Sequence, residues 1–418
     1  MNVLSTYAPR QSLPATTPAT ARRILRLLEQ LPVGRLDMQL PDGSSLRFGH
    51  AAPDDTMQTA AIRLHDWAVF ARTLKSGDIG FAEAYIDGQW SSPDVVALMS
   101  LLIANRTHME GMVYGSWWGA LLYRLQHLLN RNSRRGSKKN ISLHYDLGND
   151  FYRLWLDPSM SYSAAWFEGR DPTGVDLQQA QQAKVRRALD EAGVGAGSRV
   201  LEIGCGWGGL AEIAAGERGA HVTGVTLSAE QLKWAQERIA RAGLSDRVEL
   251  RFQDYRDLPQ AHAAAPFDAI VSIEMFEAVG QAYWRGYFET LRACLRPGGL
   301  ACIQTITIRD DLFARYVRST DFIQQYIFPG GLLPSPSAFE AEARKTGFTV
   351  ARTLRFGPDY AETLRRWRAA FLKRAPEVTR QGFDTRFQRI WEFYLAYCEA
   401  AFDEGNTDVM QFTLRHAP

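Results

Sequence analysis

Arg199-Val-Leu-Glu-Ile203, followed at once by Gly204-Cys205-Gly206-Trp207-Gly208-Gly209, is the stretch that decides how the chain reads. The aliphatic run predicts a buried strand, the glycines a tight turn, and the spacing from Leu210 onward a helix. Such a unit brings backbone close to a ligand at the mouth of a sheet, because glycine has no Cβ to hold the ligand away. The loop alone suits a dinucleotide and S-adenosylmethionine equally. Two features favour the sulfonium cofactor. The spacing is GxGxGG with Glu202 just inside the strand, and the chain has no second phosphate-binding loop. An amino-acid ligand has no pyrophosphate to cradle, and a nearby acid can orient its ammonium group.

Outward from that unit, strands predicted at His221 to Val225, Arg247 to Phe252, Phe267 to Ile273 and Leu300 to Ile306 alternate with helical stretches. This is the pattern of a doubly wound parallel sheet in an α/β protein. In Gly224-Val-Thr226-Leu227-Ser228-Ala-Glu-Gln231, Thr226 and Gln231 stand where ribose-binding side chains are expected, at the C-terminal end of the second strand. Gln253, Asp254 and Tyr255 follow the third strand, where adenine would lie.

Towards the N-terminus, residues 21–110 read as a small α+β domain with a hairpin of Leu36 to Leu40 and Ser45 to Phe48 about the turn Pro41-Asp42-Gly43. Short helices are predicted around Trp67 to Leu74, Phe81 to Ile86 and Asp94 to Ile103. Residues 1–20 read as a loose tail. Within 111–143, Trp117, Trp118, Leu121, Leu122, Leu125, Leu128 and Leu129 recur at helical spacing, and Arg131, Arg134, Arg135, Lys138 and Lys139 follow without an intervening acid. Such a helix either docks on the protein or lies in a membrane interface, its basic tail meeting anionic lipid. Nucleic acid is not expected, because the aromatics precede the charges instead of alternating with them.

The whole chain has 48 Lys plus Arg against 46 Asp plus Glu, so net charge names no partner. Four cysteines in 418 residues, none in CxxC spacing, exclude a disulfide scaffold and give no metal site. The longest apolar run, Val95 to Ala104, is half of the roughly 20 residues that a spanning helix needs. With no secretory pattern near Met1, a cytoplasmic protein at the inner face of the membrane is expected.

Several motifs occur in register: HYDLGNDFYRLW (His144 to Trp155), MSYS (Met160 to Ser163), LEIGCGWGG (Leu201 to Gly209), GVTLSAEQ (Gly224 to Gln231), QDYRDL (Gln253 to Leu258), MFEAVG (Met275 to Gly280), YIFPGGLLPS (Tyr326 to Ser335) and FGPDY (Phe356 to Tyr360). Together they resemble the cyclopropane-fatty-acyl-phospholipid synthases, and the resemblance runs from about Gly77 to the C-terminus. GDIGFAEAYIDGQW (Gly77 to Trp90) is similar to the N-terminal module of the bacterial phospholipid enzymes.

The resemblance implies a class I methyltransferase catalytic domain over 144–418, homodimers, and unsaturated phospholipid acyl chains as substrate. It implies methyl transfer from S-adenosylmethionine to a cis double bond, then loss of a proton from the new methyl to close a three-membered ring. Tyr162, Ser163, Glu202, Gly204, Cys205, Gly206, Gly208, Thr226, Leu227, Ser228, Gln231, Gln253, Asp254 and Tyr255 would hold the cofactor. His144, Tyr145 and Ile306 would meet the substrate. A bicarbonate ion would serve as base, held by Glu277, Tyr360, a histidine and the backbone near a cysteine. Ala164 stands where the family has cysteine, and Gln304 and Ala278 where it has histidine.

Gln304 keeps hydrogen-bonding capacity without a titratable proton. Two products are therefore open, a cyclopropane or, after a hydride shift, a methyl- or methylene-branched chain. A noncatalytic lipid-binding relative is the reading outside the enzyme class, and the intact glycines, Glu277 and Tyr360 speak against it. Cys398 matches a cysteine position of the family and is a candidate nucleophile. A buried helix cysteine is the alternative, since attack of an alkene on a methyl group needs no covalent enzyme intermediate. If the basic stretch meets lipid, changing Arg131, Arg134, Arg135, Lys138 and Lys139 to glutamine will weaken sedimentation with anionic vesicles and flatten its salt dependence. Equal sedimentation of mutant and parent at low salt would exclude that role.

Overall fold

The structure, a computed structural model, describes residues 13–49, 58–109, 147–262 and 265–416. The amphipathic stretch, the basic stretch, His144 and Tyr145 lie outside the described residues. The chain divides into two compact units.

The first unit holds a four-stranded sheet. Strands β1 (Arg35–Gln39) and β2 (Ser45–Gly49) form the expected antiparallel hairpin, turning at Gly43 with φ +86. Alternation places Leu36, Met38, Leu46 and Phe48 in the core, as a sheet with one buried face requires. Strand β3 (Thr59–Leu64), which the sequence reading left unassigned, lies parallel to β1, and β4 (Trp90–Ser91) pairs with β3. The two helices expected near residues 67–86 are one element, Ala68–Ile86, broken at Gly77 (φ 62, ψ −135). Asp94 caps the Val95–Ala104 helix by accepting from Ala97 N at 3.0 Å.

That unit is not confined to the N-terminal stretch. It also includes Arg318–Ile327 and Val378–Glu404. The physical reason is aromatic: on the Thr385–Asp403 helix, Phe393 lies 5.6 Å from Tyr85, 6.4 Å from Trp90 and 4.9 Å from Phe322, ring centre to ring centre. Large buried rings need partners, and segments distant in sequence supply them.

The second unit carries seven strands: β5 (Arg199–Ile203), β6 (His221–Thr226), β7 (Val248–Phe252), β8 (Phe267–Ile273), β9 (Leu295–Ile308), β10 (Phe348–Arg355) and β11 (Thr407–His416). Their order is β10-β11-β9-β8-β5-β6-β7. The strands β5 to β9 are mutually parallel, as expected, with helices between them. The sheet is not wholly parallel, however, because β11 runs antiparallel between β9 and β10.

Burial of β5 and β8 on both faces explains why Val200-Leu201 and Ala269-Ile270-Val271 run apolar without alternation. Brought to one edge, the C-terminal ends of the parallel strands form the place where a doubly wound sheet binds ligands. Among the described residues no helix is long and apolar enough to cross a membrane.

One face of the sheet is held by interlocking rings. Phe339, fully buried, lies 4.2 Å from Phe412, 5.0 Å from Phe276 and 5.1 Å from Phe288. Phe339→Ala removes contacts shared by a helix, a strand and the turn after β8, and will destabilise the protein by about 3–5 kcal/mol in denaturant titration. A loss below about 1 kcal/mol would show that neighbouring side chains collapse into the space.

Candidate active site

The turn after β5 is shaped by three glycines with positive φ: Gly204 (+87), Gly206 (+50) and Gly208 (+82). The backbone N–H groups of Gly204 and Cys205 donate to Val225 O at 2.9 and 3.1 Å, which ties the turn to β6. A Cβ on Gly206 would meet no protein atom within 4 Å, whereas one on Gly208 would lie 3.0 Å from Ala235 Cβ. Gly206 therefore borders open ligand space. Gly208 does not line the cavity and instead lets the Gly209–Arg218 and Ala229–Arg241 helices approach each other.

Of the residues expected to hold the cofactor, Tyr162, Ser163, Glu202, Gly204, Cys205, Gly206, Thr226, Leu227, Gln231, Gln253 and Tyr255 line one cavity. Glu202 is buried, one of its carboxyl oxygens has no hydrogen-bond partner, and burial raises its carboxyl well above the ordinary range. A cationic ammonium group would satisfy that acid, so the residues present fit S-adenosylmethionine.

Two further expected cofactor residues do other work. The Ser228 hydroxyl accepts from Gln231 N at 3.2 Å and caps a helix, while Ser228 N donates to Thr226 Oγ1 at 3.1 Å. Asp254 is turned onto Arg256, at 2.5 Å, and does not line the cavity.

The acceptor end differs from expectation in its central acid. The Glu274 carboxylate lines the cavity and accepts from Ala164 N at 2.8 Å, Gln304 Nε2 at 2.8 Å and Tyr360 OH at 3.0 Å. Tyr360 and Gln304 thus converge on Glu274 rather than on Glu277. Glu277 accepts instead from the backbone N–H of Ile306, and its other oxygen lacks a hydrogen-bond partner. Burial first, and then the neighbouring charge of Glu274, push the Glu277 carboxyl up to about 8.

Gln304 also accepts from Gln411 Nε2 at 3.0 Å, so its amide is oriented from both ends. Lys184 is buried, lines the same cavity and donates to Ser163 Oγ at 2.5 Å. Burial brings its ammonium down to about 8, opposed by the charges of Glu274 and Asp157.

Sequence reasoning missed Glu274 and Lys184. Glu274 had a visible signal, an acid immediately beyond β8 in SIEMFEAVG; Lys184 had none, since a lysine among glutamines reads as a solvated helix face.

An aromatic wall begins at Tyr162. Its ring centre lies 5.5 Å from Tyr152, 5.5 Å from Trp155 and 5.4 Å from Trp367, and Trp367 lies 6.1 Å from Tyr360. Cys398 lies in the first unit, on the Thr385–Asp403 helix, and does not line the cavity. Burial and then the charge of Asp321 raise its thiol far above the ordinary range. Since the thiolate is the reactive form, the raised thiol and its place outside the cavity speak against the nucleophile considered from sequence.

Residues 132–412 match the family described as mycolic acid cyclopropane synthetase. The chain is 40% identical over 415 residues to tuberculostearic acid methyltransferase UfaA1 of Mycobacterium tuberculosis, covering 97% of this chain and 93% of that protein. It is 35% identical over 378 residues to the cyclopropane-fatty-acyl-phospholipid synthase of Escherichia coli strain K12, covering 90% of this chain and 92% of that one. Among solved structures, mycolic acid cyclopropane synthase CmaA1 complexed with SAH and CTAB superposes with a TM-score of 0.60 at 33% identity, covering 66% of this chain and 98% of that chain.

The two glycines can be separated experimentally. Gly206→Val places a side chain in ligand space and will abolish S-adenosylmethionine binding in calorimetric titration of the folded protein. Gly208→Ala instead crowds Ala235 and will lower the melting temperature. Unchanged affinity in a folded Gly206→Val variant would remove the loop from the site.

Proposed function

The chain belongs to the mycolic acid cyclopropane synthetase family and is an S-adenosylmethionine-dependent methyltransferase; we propose that it alkylates the cis double bond of unsaturated acyl chains in membrane phospholipids. The observation that carries this reading is the ring of Tyr162, which lines the cofactor cavity and is backed by the buried rings of Tyr152, Trp155 and Trp367. When bound, S-adenosylmethionine supplies an electrophilic methyl group. An isolated alkene is a weak nucleophile that becomes cationic as it reacts, so the site must exclude water and stabilise positive charge without offering a nucleophile. Ring faces do both.

The residues divide the work. Glu202 and the glycine turn hold the amino-acid end of the cofactor, and Thr226, Gln231, Gln253 and Tyr255 hold the nucleoside end. Tyr162 faces the acyl chain, and the buried rings behind it hold Tyr162 in place. The basic stretch Arg131 to Lys139 brings the protein to anionic lipid at the inner face of the membrane. Phospholipid is favoured over a free mycolic acid by the Gly77 to Trp90 module and by similarity to the Escherichia coli synthase across nine-tenths of the chain.

A second reading, a methyl- or methylene-branched product, has its own support. Gln304 carries no titratable proton where the resemblance calls for histidine, and a relative similar over 97% of this chain is named tuberculostearic acid methyltransferase. Mass analysis of lipids from cells expressing the protein will show acyl chains heavier by one CH2 unit. Resistance to mild catalytic hydrogenation will identify a ring, and uptake of hydrogen an alkene. Gln304→His will raise the ratio of cyclopropane to branched product; a ratio indifferent to this change would leave Gln304 a structural amide. Absence of any added CH2 with unsaturated phospholipid vesicles would return the protein to the noncatalytic class.

A further inference from the structure

We propose that Glu274 is the base that ends the reaction, a carboxylate built into the chain that takes the place of a diffusible anion. This deepens the reading above and rests on it. The positions that were expected to surround a bicarbonate ion, the backbone at residue 164, the side chain at 304 and Tyr360, all donate to Glu274. Carboxylate and bicarbonate present the same planar pair of acceptor oxygens. Donors already committed to a fixed carboxylate are not available to an added ion.

The backbone supplies an independent observation. Glu274 has φ +49, one of three described non-glycine residues with positive φ. A side chain in that conformation costs on the order of 1 kcal/mol relative to glycine, and such strain persists where the surrounding structure enforces it. Here it turns the carboxylate off the end of β8 into the cavity. Lys184 supplies a compensating positive charge, so the carboxyl can be ionised before reaction despite its burial. That burial still raises it above the usual carboxylate range, which strengthens it as a proton acceptor.

The chemistry balances for either product. The alkene π pair forms a carbon–carbon bond to the methyl, the methyl–sulfur pair departs with sulfur, and the second alkene carbon becomes cationic. For a ring, Glu274 takes a proton from the added methyl and the released C–H pair closes onto the cationic carbon. For a methylene branch, a hydride first moves from the methyl-bearing carbon to the cation. Glu274 then takes a proton from the same methyl, and the released C–H pair forms the double bond between that carbon and the cationic chain carbon. In both cases the proton comes from one place. A base fixed beside the cofactor cavity serves both, and the neutral acid returns its proton to water once the product leaves.

The test uses the full chain with unsaturated phospholipid vesicles in buffer stripped of carbon dioxide. The parent will turn over equally with and without added bicarbonate. Glu274→Gln, which keeps the acceptor oxygen and loses the basicity, will lower product formation by about 100-fold or more, with S-adenosylmethionine affinity by calorimetry changed less than about threefold. Glu274→Gly suits the positive φ and vacates the place of the carboxylate. Bicarbonate or formate will restore its turnover with saturation, and labelled bicarbonate will bind it, but not the parent, in carbon NMR titration.

A parent whose turnover needs bicarbonate, a folded Glu274→Gln variant as active as the parent, or a folded Glu274→Gly variant that neither binds nor is rescued by these anions would each overturn the proposal. If neither variant folds, the bicarbonate response of the parent decides. If the parent adds no carbon to any lipid, the functional reading has failed, and the labelled-bicarbonate titration still reports whether Glu274 fills the anion's place.

Discussion

Burying the Glu274 carboxylate is the constraint on which the second unit depends. An ionised acid removed from water is tolerated only where donors and an opposite charge replace its hydration. The donors come from the segment after Met160, from β9 and from the Gly357–Lys373 helix, with Lys184 on a fourth element. The same segments are pinned to each other nearby, since Ala165 N donates to Thr363 Oγ1 at 3.1 Å and Phe167 N to Asp359 at 2.7 Å. One acid therefore fixes the relative positions of elements separated by nearly two hundred residues. In doing so it shapes the wall against which a substrate would lie.

What could be read from the sequence was local. The strand, glycine turn and helix at Arg199 to Arg218 declare themselves within twenty residues, because periodicity and backbone freedom are properties of neighbours. The ends of β5 and β8 were placed correctly on that basis. The last two strands carry no comparable signal. Strand β10 is mostly exposed and rich in arginine and threonine, and β11 mixes buried glutamine and threonine with aliphatic residues. Strand β11 is held by pairing with β9, about one hundred residues away in sequence, and β10 by pairing with β11 alone.

The site divides along the same line. The places of Glu202 and Gly206 at the cavity were legible because they follow from the turn that contains them. Glu277 was singled out in place of Glu274 by motif matching, yet only the three-dimensional arrangement shows which of these nearby acids meets Tyr360 and Gln304. Ser228 and Asp254 sit in the right loops, but one caps a helix and the other pairs with Arg256, competing uses that short polar side chains adopt readily.

The placement of β11 bears on how the protein is made. This strand is interior to the sheet and hydrogen-bonded on both sides, yet it is synthesised after the six strands it joins. Until Thr407 to His416 has been synthesised, β9 and β10 cannot acquire their shared neighbour, and their edges stay open to pairing with other chains. Gln411, which orients Gln304, arrives only then. Assembly of this sheet must therefore wait for Thr407 to His416, and nascent chains need protection from aggregation until then.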